Sequence, residues 1–97
     1  DIGAVVAHND EMALGAYDAI VDAGKNGQIL VIGIDAIAAA VASVAAGEMD
    51  ATVLQDSAGI AVAAIDRAIE YIETGKLEAA YWIDPVLLTK DNVADYA

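Results

Sequence analysis

Apolar and polar positions fall in blocks along this chain. Short, mainly apolar runs at about 3–8, 29–34 and 51–55 each lead into a polar side chain: Asn9, Asp35 and Gln55. Between the runs, apolar residues recur at helical spacing. The pattern reads β-α-β-α-β-α-β. A first helix is expected over about 10–23, with Asn9 or Asp10 as N-cap and Gly24 as its left-handed stop. A second spans about 37–46 and ends at Gly47. A third spans about 58–74 and stops at Gly75. It places Ile60, Ala64, Ile65, Ala68, Ile69 and Ile72 on one face and Asp66, Arg67, Glu70 and Glu73 on the other. The second strand is continuously apolar, as suits a parallel strand covered on both faces. Such alternation predicts an α/β fold, a three-layer α/β/α arrangement with a parallel sheet and right-handed crossovers. The last extended segment, about 80–89, contains Pro85, which suits an edge strand or a crossing. Either it pairs beside the third strand to make a four-stranded layer, or two copies of the chain pair edge to edge.

In open parallel α/β sheets, ligands bind outside the carboxyl ends of the strands. Asn9, Asp35 and Gln55 could therefore line one crevice. Each also has a structural reading: Asn9 and Asp35 as helix N-caps, Gln55 as a solvated loop side chain. Asp10 reads as a capping residue. Tyr81 and Trp82 either pack against the third helix or present a contact surface to another chain.

Composition narrows the function. With 97 residues the chain makes one domain at most, and residues 1–97 read as a single partial domain. It is 59% hydrophobic, much of that alanine, with a formal charge of −12 from 16 acidic and 4 basic residues. That balance argues against nucleic acid, whose phosphates call for Lys and Arg, and against anionic membrane surfaces. The apolar runs are too short for membrane insertion. No signal peptide is visible, so any export signal lies upstream of residue 1. There is no cysteine, hence no disulfide or thiolate chemistry. The single histidine, His8, reads as structural, and Asp10 and Glu11 point apart at a helix start. Ser43 and Ser57 have no base, and no glycine-rich phosphate loop occurs. Neither an enzyme nor a metal or cofactor site is expected.

Four segments carry a resemblance: HNDEMALGAY at 8–17, ILVIGID at 29–35, AAGEMDATVLQD at 45–56 and LLTKDNV at 87–93. In this order and spacing they resemble the C-terminal part of periplasmic sugar-binding proteins of the ribose-binding type, which serve ABC transporters. The resemblance implies half of a flavodoxin-like, periplasmic binding protein-like lobe, and a periplasmic or extracellular location. It implies that Asn9, Asp35 and Gln55 hydrogen-bond sugar hydroxyls. It also implies two partners, a membrane transporter and a missing second lobe of the parent protein. One departure stands out. Where the family has a Gly-Thr-Pro type loop after the aspartate, this chain has Ala36-Ile37-Ala38-Ala39, so a helix could begin directly after Asp35. Without enclosure by a second lobe, sugar binding is expected to be millimolar or lost. Two further readings stay open: a structural or interaction fragment that folds or dimerises without sugar, and the effector domain of a sugar-responsive repressor. So small a sheet leaves aliphatic surface exposed, which favours a homodimer.

Overall fold

The computed structural model describes residues 1–97, which divide into two compact units: Asp1–Gln55 with Val86–Ala97, and Asp56–Pro85. The first unit holds β1 (Ala4–Val6), α1 (Asp10–Asp22), β2 (Leu30–Ile32), α2 (Ala38–Ala46), β3 (Ala51–Leu54), β4 (Val86–Thr89) and a short 3-10 turn at Val93–Tyr96. The second holds α3 (Ser57–Thr74) and the segment that follows it.

The sheet order is β1-β2-β3-β4. β1, β2 and β3 run parallel, as the strand–helix alternation predicts. β4 departs from the all-parallel expectation: it lies antiparallel to β3, with Leu54 opposite Val86 and Ala51 opposite Thr89. The chain leaves β3 after Leu54 and returns through Pro85 at the same end of the sheet, so it can only re-enter in the opposite sense. As an edge strand, β4 tolerates the proline at its entrance. β1 occupies the other edge. The ladder runs slightly past the strand limits, with Leu30 N–H donating to Gly3 O and Ala7 N–H to Ile32 O. Asp50 ties β2 to β3 at their amino ends, its carboxylate accepting from Val31 N–H at 2.8 Å.

The core is shared by α1, α2 and one face of the sheet. Ala13 and Ile20 come from α1, Ala40, Val41 and Val44 from α2, and Val31, Met49, Leu88 and Val93 from the strands and loops. Small residues let the layers approach closely, so little volume is needed to exclude water. Both helices close with a left-handed glycine. Gly24 and Lys25 N–H groups donate back to Val21 and Ile20 carbonyls, and Gly47 and Glu48 N–H groups to Val44 and Ser43. On the far side of the sheet, the strand alternation turns Val6, Leu30 and Leu87 outward, and all three are exposed.

In the second unit, Asp56 caps α3 by accepting from Gly59 N–H at 2.9 Å. No residue of α3 is buried, and Ile72 is 82% exposed. Arg67 pairs with Glu70 at 2.9 Å and lies over the Tyr81 ring, 4.6 Å from its centre. Tyr81 thus rests beside the helix, while Trp82 is 90% exposed. No helix is long and apolar enough to cross a membrane.

Gly33 sits where β2 meets the amino end of α1, and a Cβ there would land on Asp10 Oδ1 and press on Met49 and Ala13. Gly33→Ala is expected to cost about 2–4 kcal/mol in urea unfolding, from overpacking next to a buried polar group. Gly15, mid-α1 with open space at its Cβ, provides the contrast. Gly15→Ala should gain about 0.5–1 kcal/mol from helix propensity.

Candidate functional site

The carboxyl ends of β1, β2 and β3 are neighbours in the sheet, and the three polar residues expected there lie just beyond them, Gln55 next to Leu54 and Asn9 and Asp35 after Ala7-His8 and Gly33-Ile34. Asn9 caps α1: its Oδ1 accepts from Met12 N–H at 2.9 Å. That leaves Asn9 its two amide N–H donors and the second lone pair of Oδ1 to offer a ligand. Asp35 and Gln55 are brought together, Gln55 Nε2 donating to Asp35 Oδ1 at 2.9 Å. Both are exposed. A carboxylate has about four lone-pair positions, so one bond from Gln55 leaves acceptor capacity toward solvent. Asn9 bonds within its own helix rather than to this pair.

Asp35 is not the N-cap of α2. The helix begins at Ala38, with Ile37 in the cap position and no side-chain cap bond. Nor does the helix start directly after Asp35, as the helix propensity of Ala36-Ile37-Ala38-Ala39 suggests. Instead Asp35 (φ 118°) and Ala36 (φ 58°) both take positive φ, and the chain turns before helical geometry begins. Two successive non-glycine residues in this region cost about 1–3 kcal/mol each and persist only where their surroundings demand it.

Asp10 and Thr52 supply that demand, and both are fully buried. Asp10 Oδ1 accepts from the Thr52 hydroxyl at 2.6 Å, and Oδ2 accepts from Ile37 N–H at 2.8 Å. Thr52 Oγ1 in turn accepts from Ala36 N–H at 3.2 Å. One carboxylate therefore lies in the first turn of α1 and also meets the amino end of α2, where both helix dipoles favour negative charge. Sequence reasoning gave Asp10 a local capping role, but Asn9 is the cap and Asp10 reaches across the sheet. A signal was available in Thr52, a hydroxyl in the middle of an otherwise apolar buried strand, which must find a partner.

This arrangement places an amide donor, a carboxylate acceptor and a carboxamide beyond the carboxyl ends of three parallel strands. Residues 1–77 match the periplasmic binding protein domain, and the chain belongs to that family. It is 41% identical over 97 residues to a putative rhizopine-binding protein of Rhizobium meliloti, covering 99% of this chain and 31% of that one. It is 36% identical over 90 residues to the ribose import binding protein of Escherichia coli, covering 93% of this chain and 30% of that one. Its fold superposes, with a TM-score of 0.88 and 35% identity, on an ABC transporter periplasmic solute binding protein from Actinobacillus succinogenes with bound D-allose. That match covers 98% of this chain and 33% of the other. The chain thus spans about a third of the length of these relatives.

If Ala36 carries backbone strain, removing its Cβ should relieve it. Ala36→Gly is expected to raise stability by about 0.5–1 kcal/mol, the left-handed cost of an L-residue less the extra chain entropy of glycine. A loss of stability in chemical denaturation would show that the turn is not strained at this position.

Proposed function

We propose that this chain is the part of a sugar-binding protein, serving ABC-type import, that presents Asn9, Asp35 and Gln55 to the hydroxyl groups of a small polyhydroxylated solute. A sugar hydroxyl both donates and accepts, so it needs partners of both kinds. Asn9 N–H groups donate, and Asp35 accepts. Gln55 holds the Asp35 carboxylate in place, which lowers the cost of ordering it on binding. The observation that carries this reading is the Gln55–Asp35 bond at adjacent strand ends. The names of the relatives support the solute class: one is a ribose import protein and another was solved with D-allose. The parent protein would work in the periplasm or outside the cell, with a membrane transporter as partner and a second lobe closing over the sugar. It would do no covalent chemistry, since the strand ends offer hydrogen-bonding groups without a nucleophile–base pair. By itself, one open set of three side chains should bind in the millimolar range, because affinity at such sites comes from enclosure.

A second reading has its own support. The outward row of Val6, Leu30 and Leu87, and separately the exposed isoleucines of α3, give this chain apolar surface suited to self-association into a homodimer. On this reading the 97 residues fold and assemble without binding sugar.

Calorimetric titration of the chain with ribose, D-allose and myo-inositol separates the two. Saturable millimolar heat that Asp35→Ala weakens at least tenfold is the expected outcome, since a hydrogen bond to a charged group contributes about 1.5–3 kcal/mol. No heat from any of the three, with a mass that doubles as concentration rises, would favour the assembly reading and overturn the sugar-binding one.

A further inference from the structure

We propose that Asp10 and Thr52 are the positioning residues of the strand-end site: they set where the Asp35 carboxylate points by pinning the backbone that follows it. What that carboxylate binds rests on the sugar-binding reading above. The positioning itself does not.

Three consecutive amides leave the end of β2, and each is held by a different group. Asp35 N–H donates to Val53 O at 2.9 Å, Ala36 N–H to Thr52 Oγ1 at 3.2 Å, and Ile37 N–H to Asp10 Oδ2 at 2.8 Å. The first bond continues the β-ladder and would form in most conformations of the turn. The other two come from side chains and hold the amides that follow the positive-φ residues, Ala36 N–H after Asp35 and Ile37 N–H after Ala36. Thr52 and Asp10 are joined to each other at 2.6 Å, so the two acceptors behave as one rigid unit. Neither side chain is accessible to a ligand. Gly33 clears the space that the Asp10 carboxylate occupies. Asp35, by contrast, is exposed, and one of its oxygens is bonded to Gln55. Release of the turn would swing the carboxylate away from Gln55 and dissolve the pair.

The test uses the 97-residue chain with Thr52→Val, which keeps the shape and removes the hydroxyl, and Thr52→Ser, which keeps the hydroxyl. Amide hydrogen exchange and three-bond HN–Hα couplings are read by NMR. In Thr52→Val, Ala36 and Ile37 amides should exchange at least tenfold faster and Ala36 should leave positive φ. Amides of α1 and α2 should stay within about twofold of wild type, and Thr52→Ser should resemble wild type throughout. Retention of the turn in Thr52→Val, or equal loss in Thr52→Ser, overturns the proposal. Should Thr52→Val not fold, wild-type exchange decides. Ala36 and Ile37 slowed a hundredfold or more relative to an unstructured amide supports the clamp, and free exchange sinks it. D-allose titration adds the functional arm. Binding that falls at least tenfold in Thr52→Val and is kept in Thr52→Ser supports the proposal, and unchanged binding in Thr52→Val overturns it. Absence of wild-type binding removes the sugar reading alone, and the NMR result then decides the positioning.

Discussion

A single buried carboxylate governs the geometry at the carboxyl end of this sheet. A charge fully removed from water is costly unless hydrogen bonds replace its hydration. Asp10 meets that requirement with partners from two distant segments, the Thr52 hydroxyl on β3 and the Ile37 amide before α2. Because both partners must be in place, α1, β3 and the start of α2 are held in one relative arrangement. Met49, Ala13 and Gly33 crowd the same spot, so the carboxylate has little room to find alternative partners. The positive-φ pair at Asp35 and Ala36 is then a consequence of this network, since the amides that follow Asp35 must turn back to reach it.

That constraint bears on the exposed polar residues at the strand ends. Asn9, next to Asp10 in sequence, is committed to capping α1 by its oxygen, which leaves the nitrogen on a defined side. Asp35 stands on the turn that the buried network shapes, and Gln55 reaches it from the next strand. The Asp35 carboxylate is tied to the Gln55 amide and stands on a backbone held by Thr52 and Asp10. The chain matches the periplasmic binding protein domain over residues 1–77 and spans about a third of a relative's length.

Much of the fold was legible in the sequence because the relevant signals are local. Apolar runs ending in Asn9, Asp35 and Gln55 located β1, β2 and β3, and Gly24, Gly47 and Gly75 marked the helix ends. The grouping of the family segments in order identified the family from residues alone. Other features depend on tertiary context and were not visible. The direction of β4 follows from where the chain returns after α3, which no window of residues records. The turn at Asp35-Ala36 runs against the helix propensity of the alanines, because hydrogen bonds to Asp10 and Thr52 outweigh it. Asp10 looked like one more helix cap because its partners lie 27 and 42 positions away. The apolar stripe of α3 signalled a helix correctly, yet none of its residues is buried.

The claim on which all of this depends is that Asp10 and Thr52 act as one buried unit. A double-mutant cycle in urea with Asp10→Ala, Thr52→Val and their combination tests it most directly. Coupled residues in one network should show an interaction energy of about 1–3 kcal/mol, with the double variant losing less than the two single losses together. Losses that add to within about 0.5 kcal/mol would mean that the two side chains stabilise the protein independently, and would contradict the account.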